Sequence, residues 1–201
     1  MEHLLQGEGQ LTTYNGIPHQ ILADFIDTPV GRMVVCATVY GICLLEFLKD
    51  EGVQFDFNYL EKRFNGRVVP GTNSHIAQVK QELNEYFSGE RIHFDVSLNL
   101  MGTEFQLLVW EALRKIPFGK TITYLQQAVN IGNDKAVRSV ASANGKNKIA
   151  IIIPCHRVIG ANGKLSGYAW GIDRKKWLLN FEKKTNGNSV PQLFDELDWI
   201  V

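Results

Sequence analysis

The stretch Ile151-Ile152-Ile153-Pro154-Cys155-His156-Arg157-Val158 decides how the second half of the chain is read. Three β-branched residues favour an extended, buried segment. Pro154 has no N–H with which to continue a ladder or a helix, so the backbone is expected to turn at Pro154–Cys155. That turn would set the Cys155 thiol where a buried segment meets a surface. His156 and Arg157 would put two potential cations beside the sulfur, and neighbouring cations lower a thiol pKa and favour the thiolate. Once ionised, cysteine is the most nucleophilic of the common side chains. A lone buried cysteine is usually inert. The residues on either side of Cys155 make it the candidate nucleophile nonetheless.

The chain has 201 residues, enough for one large domain or two small ones. Its 45% hydrophobic and 21% charged residues are those of an ordinary globular protein. No apolar run approaches the roughly 20 residues of a membrane span, and Met1-Glu2-His3-Leu4-Leu5 lacks the cationic start of a signal peptide. The cysteines Cys36, Cys43 and Cys155 form no CxxC pair and no even framework. Disulfides and a thiol zinc cage are therefore not expected, and neither is any metal or other cofactor. A reducing, cytoplasmic setting away from membranes fits best.

The net charge is zero, but it is unevenly spread. Residues 1–101 carry 7 Lys/Arg against 13 Asp/Glu, whereas residues 102–184 carry 14 against 5. The last residues add only Asp195, Glu196 and Asp198. A basic segment inside a neutral chain is the footprint of a polyanion-binding face. Solvated runs such as Arg174-Lys175-Lys176 would account for part of it.

Residues 1–20 read as an amino-terminal arm. From Ile21 three β-rich runs follow, 21–26, 33–39 and 42–47, separated by turns at Thr28-Pro29-Val30-Gly31 and Tyr40-Gly41. Tyr59 to Phe64 predicts a short helix, followed by a loop around Pro70-Gly71. A longer helix capped by Thr72 or Ser74 follows, with Ile76, Val79, Leu83, Tyr86 and Phe87 at helical spacing and Gly89 as its end. The alternation of Ile92-His93-Phe94-Asp95-Val96 predicts one more strand. Residues 21–100 thus form a small, acidic α+β domain.

The second domain, residues 101–184, opens with an amphipathic helix from Thr103 to Ile116 carrying Phe105, Leu108, Val109, Ala112 and Leu113. Thr123 with Gln126 has the form of a capping box. A turn at 130–133 and a helix from Asp134 to Asn144, ended by Gly145, complete a helix-turn-helix pattern. Val137, Val140 and Ala141 are expected to face inward. Arg138, Ser139 and Ser142 face outward, where small side chains let a nucleic-acid backbone approach and one arginine can reach between bases. Residues 185–201 read as an acidic tail.

Together these runs resemble a known family. Gly102-Thr103-Glu104-Phe105-Gln106, Val109-Trp110, Ile116-Pro117-Phe118-Gly119, Thr123-Tyr124, Arg138-Ser139-Val140-Ala141, Asn147, the cysteine motif and Gly167-Tyr168 are similar to those of O6-alkylguanine-DNA alkyltransferases. Leu165-Ser166-Gly167-Tyr168 and Trp170-Gly171 resemble the bacterial adaptive-response members most. The resemblance implies a ribonuclease-H-like α+β domain followed by a mainly helical domain with a helix-turn-helix and the active-site cysteine. It implies that Cys155 takes an alkyl group from O6 of guanine, and from O4 of thymine, after the base is flipped out of duplex DNA.

Carried over residue by residue, the resemblance assigns further roles. Tyr124 would assist nucleotide rotation and protonate the leaving guanine. Arg138 would fill the vacated stack from the minor groove, with Ser139, Ser142 and Gly145 against the DNA. His156 would act as base through a water, oriented by Glu182, 27 residues beyond the cysteine. Asn147 would brace the turn before the cysteine. Val158, Tyr168, Ala169, Trp170 and Lys175 would form the pocket; Trp170 stands where many members carry a small residue, and its indole is expected to narrow the pocket and favour methyl over benzyl. The implied protein is a monomer, and it works once because a thioether has no leaving group that water can displace. Lys148 and Ala150 stand where many members carry prolines.

Two other readings compete. A non-catalytic lesion-sensing or regulatory DNA-binding protein would use the same helices but have no need of Cys155. A hydrolase using Cys155 and His156 would need the two side chains to meet, and adjacent strand residues point to opposite faces.

Overall fold

A computed structural model describes residues 19–48 and 57–187. The strands β1 (His19–Ile26), β2 (Met33–Thr38) and β3 (Gly41–Phe47) form an antiparallel meander. β4 (Gly66–Pro70) joins the far side of β1 in parallel, giving the order β3-β2-β1-β4. This fourth strand lies where the sequence predicted a loop. Between β3 and β4 lies the helix α1 (Asn58–Phe64), and α2 (Ser74–Ser88) follows β4.

Every residue of β2 is buried because both faces of the sheet are covered. Met33, Val35 and Ala37 join α2 in the main core. Val34 and Cys36 alternate to the other face, where they meet Cys43, Leu44 and Leu60. Cys36 and Cys43 are thus core residues, and burial pushes the Cys43 thiol up to about 12.

The cap of α2 is Asn73, whose side chain accepts from Ile76 N, and not Thr72 or Ser74. Gly89 ends the helix as expected, at φ 84°. Residues 92–96 do not form the predicted strand. The Glu82 carboxylate, buried on α2, accepts from Asp95 N and Val96 N at 3.1 and 3.3 Å and takes the place of a ladder.

Five elements follow: α3 (Glu104–Arg114), β5 (Ile122–Thr123), α4 (Tyr124–Asn130), α5 (Val137–Gly145) and β6 (Val158–Ile159). The last helix is α6 (Ile172–Thr185). Both α3 and α4 begin with complete capping boxes, Thr103/Gln106 and Thr123/Gln126. The stripe that α3 buries is Val109, Trp110 and Leu113, while Leu108 points outward. Trp110 donates its indole N–H to Ala143 O at 2.9 Å and so ties α3 to α5. Gly102 is required there, since a Cβ would stand 2.7 Å from the Trp110 ring.

The edge of β3 is covered by the second half of the chain. Leu45 N donates to Lys148 O at 2.8 Å, and Ala150 N donates to Leu45 O at 2.7 Å. A free edge is thereby closed, and the segment leading to Cys155 is fixed to the sheet. Ala150 can give this bond because it is not a proline.

Candidate active site

Beyond Ala150 the chain does not stay extended as the isoleucine run predicted. Ile151 adopts φ 70°, a left-handed conformation unusual for a β-branched residue. Turns through Ile152 and Ile153 follow. Asn147 explains the fold-back: its Nδ2 donates to Ile149 O at 3.2 Å and Ile153 O at 2.8 Å, while its Oδ1 accepts from Ile149 N at 2.9 Å. One buried amide gathers both ends of the loop.

The same Asn147 Nδ2 lies 3.4 Å from Cys155 Sγ. Cys155, His156 and Arg157 form a single 3-10 turn and not a strand. The strand-alternation argument against direct Cys–His pairing therefore does not apply. What the turn does instead is send His156 and Arg157 to Glu182. His156 Nε2 stands 2.9 Å from Glu182 Oε1, and Arg157 donates to both carboxylate oxygens and to Ile116 O. Tyr86 OH and Gly119 N also donate to Glu182, at 2.8 and 3.0 Å.

These contacts set the charges. Burial alone would raise the Glu182 carboxyl, but His156 and Arg157 outweigh it and hold the group well below the usual carboxylate range. Burial lowers His156 despite Glu182, so the imidazole is neutral. An ionised Glu182 requires the proton on Nε2, which leaves Nδ1 as a bare lone pair. That Nδ1 is buried and has no hydrogen-bond partner among the described residues.

The thiol differs from expectation. Burial pushes Cys155 up to about 11, against the lowering influence of Asn147 and Lys175. Arg157 is spent on Glu182, and the cation that reaches the sulfur is Lys175. Lys175 is fully buried, not part of a solvated run, and donates to Val158 O at 2.7 Å and Ser166 O at 2.9 Å. Burial brings it down to about 8, with the Cys155 charge acting to raise it.

The remaining predicted residues fall into two groups. Tyr124 begins α4, directly after the parallel pairing of β5 with β6, which sets Ile122 opposite Val158 and Thr123 opposite Ile159. Its hydroxyl donates to Ser166 O at 3.1 Å, and burial raises its pKa. Tyr168 is half-buried, with a buried hydroxyl that has no hydrogen-bond partner among the described residues. Trp170 is buried edge-on against Tyr168 and Phe47, with ring centroids 5.1 and 6.3 Å away, and Ala169 is exposed. On α5, Arg138, Ser139, Ser142 and Gly145 are exposed as predicted. Arg138, Ser139 and Ser142 line a groove of about 390 Å³ with Lys146 and the start of α3. Ala141 is exposed too, against expectation; the inward positions are Val140, Ala143 and Asn144, one helical turn apart.

Several partners escaped the sequence reading. Asn144 and Gln127 exchange two side-chain hydrogen bonds, at 2.7 and 3.2 Å, and lock α4 to α5. The signal available for that pair was a polar residue at a core-facing helical position on each helix. No local signal tied Tyr86 to Glu182.

A buried thiol under the charge of Lys175, followed in the chain by a histidine held to a buried carboxylate, and two locked helices with Arg138 and Lys146 on their exposed side define the class as a DNA-binding protein with a candidate cysteine nucleophile. Comparison with known proteins specifies the class. The family described as "6-O-methylguanine DNA methyltransferase, ribonuclease-like domain" matches residues 21–100, and "6-O-methylguanine DNA methyltransferase, DNA binding domain" matches residues 104–184. A methylated-DNA–protein-cysteine methyltransferase of Methanosarcina acetivorans is 43% identical over 78% of this chain and 94% of its own length. One from Mycobacterium bovis is 44% identical over 79% and 90%. The crystal structure of Mycobacterium tuberculosis OGT in complex with DNA superposes with a TM-score of 0.72 at 40% identity, covering 82% of this chain and 94% of that one. The chain belongs to the O6-alkylguanine-DNA alkyltransferase family, the methylated-DNA–protein-cysteine methyltransferases, and repairs DNA by alkyl transfer.

Proposed function

We propose that Cys155 is the acceptor and that the substrate is guanine alkylated on O6, or thymine alkylated on O4, flipped out of duplex DNA from the minor-groove side. The observation that carries this reading is the surroundings of Cys155 Sγ: Asn147 Nδ2 at 3.4 Å, the charge of Lys175, and the neighbouring His156 with its unpaired Nδ1. The sulfur attacks the alkyl carbon; the S–C bond forms as the C–O6 bond breaks. The thiol proton passes through a water to His156 Nδ1, which Glu182 orients. Tyr124, neutral because its pKa is raised, supplies a proton to the departing guanine.

Arg138 enters the vacated stack, and Ser139, Ser142 and Gly145 leave room for the backbone around it. Val158, Tyr168, Ala169, Trp170 and Lys175 line the pocket, and the Trp170 indole favours methyl over benzyl. Because a thioether cannot be hydrolysed, one molecule repairs one lesion. The protein acts as a monomer, and its free thiol suits a reducing cytoplasm.

The test is intact-protein mass after incubation with a duplex containing one O6-methylguanine. Wild type is expected to gain one methylene and stop, and Cys155→Ser to gain nothing. Binding of the lesion without any gain in mass would make the protein a lesion sensor instead.

A further inference from the structure

The sheet of the first domain and the loop that walls the pocket meet at one guanidinium. Arg174, in the first turn of α6, donates from Nε to Val30 O at 3.0 Å, from Nη2 to Leu48 O at 3.2 Å and from Nη1 to Trp170 O at 2.9 Å. Val30 lies in the turn between β1 and β2, Leu48 follows β3, and Trp170 belongs to the pocket loop. Three carbonyls from three segments share one planar fork, which a lysine cannot reproduce. The cation also stands 5.1 Å from the centre of the Phe47 ring, against which Trp170 packs.

The loop needs such an anchor. Tyr168, Ala169 and Trp170 lie between Gly167 at φ 58° and Gly171 at φ 98°, two positions with wide backbone freedom. One backbone bond, from Gly171 N to Tyr168 O at 3.1 Å, closes the turn itself but does not tie it to the rest of the molecule. Gly31 matters on the opposite side. It has φ 119°, and a Cβ there would come within 3.1 Å of Arg174 Nη2, so the hairpin turn can approach the guanidinium only as glycine.

We propose that Arg174 is a positioning residue through which the first domain holds the Tyr168–Trp170 wall in place and so sets the size of alkyl group admitted. The proposal rests on the reading of Cys155 as acceptor. A wall tied to a buried sheet cannot recede, and a methyl group fits where a benzyl group needs the wall to move. The acidic domain, which does not contain the nucleophile, then shares in substrate choice.

The experiment compares single-turnover transfer to wild type, Arg174→Lys and Gly31→Ala from two duplexes that differ only in carrying O6-methylguanine or O6-benzylguanine. Both variants should keep methyl transfer, and their benzyl-to-methyl rate ratio should rise by about tenfold, the scale on which a pocket discriminates by size. The double variant should rise no further than either single one, because both changes release the same contact. An unchanged ratio, or methyl and benzyl rates that fall together with thermal stability, would show a purely structural contact and overturn the proposal. A wild type that takes up neither group would overturn the acceptor reading itself, and this inference with it.

Discussion

His156 Nε2 lies 2.9 Å from Glu182 Oε1, and Glu182 is at the same time held by the Arg157 guanidinium. The second contact shapes the first. A carboxylate facing only a histidine would draw it toward the imidazolium form; burial works against that and keeps the ring neutral, and the Arg157 cation adds to the effect.

Glu182→Gln therefore removes two things at once. Arg157 is left buried without its counter-charge, which costs about 3–5 kcal/mol. The demand for a proton on Nε2 is also lost, so the ring can present an N–H toward the thiol. Transfer should slow by about a hundredfold or more, within the range of a lost general base. Single-turnover kinetics below the variant's melting temperature separate this effect from instability.

The same groups set the acid stability. Burial holds the folded His156 below the ordinary imidazole value of 6.5, so below that pH the unfolded chain binds a proton that the folded chain refuses. Glu182 acts in the same direction below the ordinary glutamate value of 4.5. Stability rises with pH wherever the unfolded state binds more protons. Urea midpoints should therefore decline through the His156 range below about pH 6.5 and fall more steeply below about 4.5. His156→Phe should flatten the upper part of that decline.

How much of this could be read from the sequence depends on where the partners lie. The meander β1–β3 was legible because Gly31 and Gly41 punctuate it, and the capping boxes because both partners sit three residues apart. The short strand β4 ends in Pro70 and gives little pattern. Ile151 to Ile153 have strand-forming side chains, but the Asn147 amide folds them into turns. The site was legible as a set of residues and not as a charge distribution. Arg157 is next to Cys155 in the chain and bound to Glu182 in space, while Lys175, twenty positions away in sequence, supplies the charge at the sulfur.

Lys175→Met tests that exchange of roles. With the thiol at about 11, the free protein should react slowly with iodoacetamide at neutral pH and faster as the pH rises. Removing Lys175 takes away a charge that lowers the thiol pKa, so the reactivity curve should move to higher pH. Arg157→Lys, which keeps a cation at Glu182, should leave the curve where it is. A curve that moves with Arg157 and not with Lys175 would reverse the assignment.

Asn147→Ala should be among the most damaging single changes in the loop. It takes from Ile149 N the acceptor it has, at about 1–3 kcal/mol for a buried group left unsatisfied, and removes one of two donors from each of the carbonyls of Ile149 and Ile153. Asn147→Asp keeps the shape and the bond from Ile149 N, but turns a donor toward two carbonyls and a sulfur into an acceptor. It should lower the melting temperature at least as far as Ala does. Differential scanning calorimetry of the two variants ranks them, and an Asp variant as stable as wild type would show that the amide is not what folds the loop.

Arg138 is exposed on α5, away from the thiol, and its role in the proposed reaction is confined to the DNA. Holding a base out of the stack costs a few kcal/mol, and an arginine filling the gap offsets part of that cost. Arg138→Ala should then slow transfer from O6-methylguanine in duplex DNA by about ten- to a hundredfold, the equivalent of a few kcal/mol. Transfer from the free base O6-benzylguanine, which needs no flipping, should stay at the wild-type rate. Equal losses on both substrates would place Arg138 in the folding of α5 rather than at the DNA, and the wild-type rate on both would remove it from the interface altogether.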